Sequence, residues 1–180
     1  MLDDLLSNHR AIVLKRWFHL IGETYPPEFA RFLARERDRF ANPVGYTLSH
    51  ALETIYDEIC GDQDPEKLST SLDTIIKVRA VQDFTPSQAV IFAFLLKNAV
   101  REALVEEMQD GQLAGELHEF ESKVDSMALL AFDLYTKRRE KIYEIRVREA
   151  KERSEMLLER MNLIYGIPGL EQGAKDLDIR

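Results

Sequence analysis

Apolar residues recur along this chain at three- and four-residue intervals, the spacing of one face of an α-helix, and nowhere alternate in the two-residue rhythm of a strand. The first stripe, Leu2, Leu5, Leu6, Ile12, Val13, Trp17, Leu20 and Ile21, predicts one helix that ends at Gly22 and the "YPP" turn. A shorter stripe, Phe29, Phe32, Leu33 and Phe40, predicts a second. Three start signals follow. Asn42 before Pro43, Asp64 before Pro65 and Thr85 before Pro86 each set a side-chain acceptor ahead of a proline at the first helical position, where no backbone donor is needed. Gln88 stands where a capping box with Thr85 requires it. The helices so opened carry Val44, Leu48, Leu52, Ile55 and Ile59 up to Gly61, then Leu68, Leu72, Ile75 and Ile76. The third carries Val90, Phe92, Phe94, Leu95, Leu96, Val100 and Leu104, is apolar on nearly all sides, and is expected at the centre of a bundle. The class is all-α.

The last helix is predicted to begin after the "DGQLAG" turn, because residues 116–165 contain neither Gly nor Pro. Leu117, Phe120, Val124, Met127, Leu130 and Leu134 keep core spacing until about Tyr135. Then the pattern changes: 13 of the 19 side chains in residues 137–155 are charged. A helix of roughly 50 residues, at a rise of about 1.5 Å each, is expected to project past its own domain. In that half the apolar residues thin to Ile142, Ile145, Val147, Met156, Leu157 and Leu163, with Glu149 and Glu152 between them, a weak coiled-coil seam. Two readings stand: a single helix, solvated or folded back on the bundle, and a stalk joining two identical subunits. The second is preferred, with Ile142, Ile145, Val147, Met156 and Leu163 as the dimer and output surface.

Length and charge narrow the picture. A chain of 180 residues suits one domain with an appendage, here a helical domain over 1–136, an extended helix over 137–165 and a Gly-rich tail, expected to be mobile, over 166–180. A net charge of −8 opposes a whole-protein affinity for nucleic acid. The single cysteine, Cys60, excludes an internal disulfide and suggests a reducing compartment. The N-terminus has no secretion-signal pattern, and no apolar run reaches the ~20 residues of a bilayer span, so a cytoplasmic protein without direct membrane insertion is expected.

Candidate chemistry is sparse. Histidines at 9, 19, 50 and 118 form no four-residue pair, and Glu116, His118 and Glu119 point in different directions on a helix, so no metal site is expected. No phosphate loop, "GxSxG" elbow or "CxxC" appears, and Cys60 reads as a small buried residue. The junction "VRAVQDFTPSQAV" is richer: Arg79, Gln82 and Asp83 lie between two apolar helices. It reads as a hinge in which Asp83 or Thr85 caps and Arg79 closes over a carboxylate, and alternatively as a ligand or partner junction. Arg35, Arg37 and Arg39 alternate with Glu36 and Asp38, the pattern of a charged surface. With no clustered acid, base, nucleophile or metal set, neither enzyme nor cofactor is expected.

The blocks "WFHLIGETYP", "DRFANPVGY", "VRAVQDFTPSQAV", "LLAFDLY" and "RREKIYEIRV", in this order, resemble the N-terminal domain of RsbR-type stress regulators, co-antagonists of the switch kinase RsbT. The resemblance covers about residues 1–165 and implies a globin-like, haem-free helical domain that pairs as a homodimer. It also implies a last helix leading to a phosphorylatable STAS domain, so that residues 1–135 sense or scaffold and residues 137–163 correspond to the signalling linker. After Tyr165 only 15 residues remain, too few for a STAS domain, so action in trans on a separate protein partner, or service to another pathway, is expected. No histidine lies between Thr85 and Met108, which agrees with the absence of haem that the resemblance implies. The reading is a non-enzymatic sensory or regulatory module. The alternatives are a constitutive scaffold for a larger complex, and a small-ligand bundle lined by Trp17, Phe92, Phe94 and Phe132.

Overall fold

A computed structural model describes residues 1–28, 30, 42–61, 64–82, 84–110 and 113–165. Among them are six helices and no strand: α1 (Leu2–Asn8), α2 (Arg10–Glu23), α3 (Pro43–Cys60), α4 (Pro65–Val81), α5 (Pro86–Ala103) and α6 (Ala114–Tyr165), with a short 3₁₀ turn at Glu107–Asp110. The protein is all-α with a long C-terminal helix. The helix expected around Phe29 to Phe40 and the residues Arg35, Arg37 and Arg39 lie outside the described residues, as does the tail over 166–180.

Local signals set the starts. Asn42 Oδ1 accepts from the Gly45 amide at 2.8 Å, and Asp64 Oδ1 from the Glu66 amide at 3.0 Å. The Gln88 amide donates to Thr85 Oγ1 at 3.3 Å while the Thr85 amide donates to Gln88 Oε1 at 3.0 Å, completing the capping box. Asn42 is fully buried, and a Cβ at Gly45 would come within 2.8 Å of its Cγ, so the cap requires glycine there.

The first stripe is not one helix. At His9 the backbone turns (φ −95°, ψ 6°), and the chain restarts as α2. The break lets Leu2 and Leu6 on α1 and Val13, Trp17 and Ile21 on α2 all reach the core, while Ile12 is left 57% exposed. Two hydrogen bonds to backbone carbonyls cross-tie these helices. Trp17 Nε1 donates to Phe92 O at 2.7 Å, joining α2 to α5, and the Tyr56 hydroxyl donates to Leu6 O at 2.8 Å, joining α3 to α1. Ala89, Ala93 and Ala99 lie fully buried on α5, small enough for a neighbouring helix to approach closely. Each fully buried Leu, Ile or Phe contributes about 1.5–3 kcal/mol relative to exposure.

The chain divides into two compact units, Met1–Arg138 and Arg139–Arg180. In the first, α6 buries Leu117, Phe120, Val124, Met127, Ala128, Ala131 and Tyr135, and the Tyr135 hydroxyl donates to Phe84 O at 2.5 Å. At its end, the Arg138 guanidinium grips Asp73 of α4 with both branches, Nε to Oδ1 at 2.7 Å and Nη2 to Oδ2. The second unit, as far as Tyr165, is the continuation of α6.

Candidate functional site

Arg79 sits on the last turn of α4 with no exposed surface. The sequence suggested that it closes over a carboxylate; among the described residues it meets none. Its Nη1 donates to Gln88 O at 2.7 Å and its Nη2 to Thr24 Oγ1 at 2.9 Å. The guanidinium lies 5.1 Å from the ring centroids of Tyr25 and Phe84 and 5.5 Å from that of Phe92. Burial pushes its pKa down, and neighbouring Tyr25 works in the opposite direction. Among the described residues Nε has no hydrogen-bond partner. One cation thus pins the end of α2, the end of α4 and the start of α5 through its faces and edges. Gln82 is exposed and, with Thr24, Tyr25, Phe84 and Gln88, borders an open groove beside this cage. Asp83 lies outside the described residues.

The aromatic set Trp17, Phe92, Phe94 and Phe132 does not line one cavity. Trp17 and Phe92 are packed in the core, whereas Phe94 and Phe132 point outward, because α5 is buried on one face and not all round. Their outward side has its own order. Arg101 Nε donates to Glu121 Oε1 at 2.7 Å and Lys97 Nζ to Asp125 Oδ1 at 2.6 Å, so α5 and α6 run antiparallel with these pairs as rungs. Beyond these pairs, α5 carries Phe94 and Ile91 and α6 carries Leu129 and Phe132. These four are 40%, 37%, 70% and 45% exposed. Exposed large apolar side chains on two neighbouring helices are what a protein surface carries chiefly where something binds.

In the second unit, Ile145, Val147, Met156 and Leu163 are exposed and Ile142 is half-buried. Ile142, Ile145, Met156 and Leu163 share their helix face with Glu149, Glu152 and Glu159, so a pair of such faces would bring carboxylates together. Another face is cleaner. Tyr143, Val147, Ala150, Ser154, Leu157 and Met161 follow one another at alternating spacings of four and three with no charge among them. Tyr143, Val147, Leu157 and Met161 are 51%, 68%, 60% and 44% exposed. This seam is a local pattern in the sequence, on the opposite side of the helix from Ile142 and Ile145.

Reactive groups are few. Cys60 is half-buried, and burial pushes its thiol up to about 11, which keeps it protonated at neutral pH. Among the described residues no three His, Cys, Asp or Glu side chains gather as a metal site, and no helix is long and apolar enough to cross a membrane.

The described residues therefore define an all-α bundle continued by a long terminal helix, with apolar surface on both parts. The family described as the RsbT co-antagonist protein rsbRD N-terminal domain matches residues 12–150, and the chain belongs to it. The family is one of stress-signalling regulators. The match reaches into the second half of α6, taking in Ile142, Ile145 and Val147 and stopping short of Met156 and Leu163. No curated protein matches the chain, and no solved structure matches it.

Proposed function

We propose that this protein is a non-enzymatic regulatory module that pairs with a second copy through the first unit and acts on a partner protein through the second half of α6. The observation that carries this reading is the Ile91–Phe94–Leu129–Phe132 patch. It is uncharged and self-compatible, as an isologous contact requires, since the same residues must face each other across a two-fold axis. The exposed apolar residues beyond Arg138 are the output region, with Tyr143, Val147, Leu157 and Met161 on one face of the helix and Ile145, Met156, Leu163 and the half-buried Ile142 on the other. Leu129 and Phe132 of the pairing surface belong to the same helix, α6, as the output residues, so an input that alters packing at α5 and α6 has a path to the partner. The cage around Arg79 and the groove at Gln82 are the input junction in this reading.

Sedimentation equilibrium of the full chain tests it. Leu129→Glu is expected to weaken self-association by about ten-fold or more, whereas Ile12→Glu, an exposed apolar position outside the patch, leaves it unchanged. A wild-type chain that stays monomeric at micromolar concentration, or a Leu129→Glu chain that associates as before, contradicts the pairing.

A further inference from the structure

The apolar seam in the second half of α6 has one charged border of a single sign. Arg139, Arg146, Arg153 and Arg160 recur every seven residues along it, in the position that flanks a coiled-coil seam. Arg139 lies over the Tyr143 ring at 5.0 Å and donates to its hydroxyl at 2.9 Å. Arg146, Arg153 and Arg160 are exposed, and among the described residues their side chains enter no ion pair or hydrogen bond. The opposite border is Glu144, Lys151 and Leu158.

This border selects against a second copy. In an antiparallel self-pair the arginine row meets itself, with Arg153 facing Arg153. In a parallel self-pair Arg146 meets Lys151 of the other chain, which cancels the one attraction available, Arg139 with Glu144. We infer that the seam Tyr143–Val147–Ala150–Ser154–Leu157–Met161 receives an amphipathic helix of another protein whose apolar stripe is bordered by carboxylates at seven-residue intervals. Such a helix buries the four large exposed side chains and places its acids against the arginine row. Charge along the border then sets the partner's identity and register more than its affinity. The inference rests on the second half of α6 being the output surface, and it names the chemistry of the partner.

The test uses the full chain and two designed four-heptad helical peptides with identical leucine seams, one bordered by glutamates and one by lysines. Fluorescence anisotropy is expected to show the glutamate-bordered peptide binding about ten-fold or more tighter, with affinity falling as salt rises. The triple variant Arg146→Glu, Arg153→Glu, Arg160→Glu should reverse the preference, with helical content by circular dichroism unchanged. Equal binding of both peptides, no binding of the glutamate-bordered one, or a preference that survives the triple variant overturns the inference. Vesicles containing an anionic phospholipid should not capture the chain at physiological salt; capture would assign the row to lipid and overturn it too. Leu129→Glu separates the two readings. If it leaves self-association intact while the peptide preference holds, the pairing surface fails alone; if it abolishes association while neither peptide is preferred, the helix partner fails alone.

Discussion

Replacing Arg79 with leucine asks whether a buried cation that meets no carboxylate among the described residues stabilises the bundle. The side chain has no exposed surface, and its guanidinium makes two hydrogen bonds and lies over three rings. Hydrogen bonds from a charged donor contribute about 1.5 kcal/mol each, and desolvated ring contacts about 1 kcal/mol each, roughly 6 kcal/mol in all. Against that stands the cost of taking the cation out of water, on the order of 4 kcal/mol after relaxation. Leucine removes both terms. It strands little, since Thr24 Oγ1 still donates to Ile21 O at 2.7 Å and the Gln88 carbonyl remains available to its own helix. The net loss expected is about 2 kcal/mol, and Arg79→Ala, which adds a cavity, should lose about 4 kcal/mol. Urea unfolding followed by the fluorescence of Trp17, the one tryptophan and fully buried, reads the change directly. A slope of about 2 kcal/mol per molar places the leucine midpoint about 1 M lower. A leucine variant as stable as the parent, or more so, would refute the reasoning, because the cage would then be a burden tolerated for another purpose.

Three further outcomes follow from local geometry. Gly45→Ala should cost about 1–2 kcal/mol by driving Asn42 off its cap, measured as a lower urea midpoint, since the new Cβ has no room beside that side chain. Asp73→Asn should cost about 0.5–1 kcal/mol at neutral pH. The Arg138 guanidinium holds the folded Asp73 pKa below its ordinary 3.8, so this contribution is present above that value and lost as pH falls through the folded pKa; the two proteins should converge in stability in strong acid. Cys60, with its thiol pushed up to about 11, should react with a disulfide reagent far more slowly in the folded protein at pH 8 than in urea; equal rates would contradict its burial.

What the sequence disclosed depended on range. The caps at Asn42, Asp64 and Thr85 are written within four residues each, and the length of α6 follows from the stretch 116–165 without Gly or Pro. The turn at His9 carries no breaker; it arises because α1 and α2 must each turn a face to the same core, which periodicity alone does not express. Arg79 was visible as a junction residue, but its partners Thr24 and Gln88 come from two other helices, and among the described residues rings rather than a carboxylate surround it. The Ile91–Phe94–Leu129–Phe132 patch was hidden for the same reason. Phe94 and Phe132 read as core until the register of α5 against α6, fixed by Lys97 with Asp125 and Arg101 with Glu121, turned them outward. The seam from Tyr143 to Met161 was local and legible, and only the competing isoleucine face obscured it.

The central claim is that the patch on α5 and α6 is covered by a second copy of the chain. An isotope-filtered NOE spectrum of an equal mixture of ¹³C-labelled and unlabelled protein sees contacts between copies and nothing else. The account predicts intermolecular cross-peaks at the Ile91 and Leu129 methyls, with Phe94 and Phe132 ring protons as their partners. A spectrum without intermolecular peaks, or with peaks gathered at Val147, Leu157 and Met161, would contradict it.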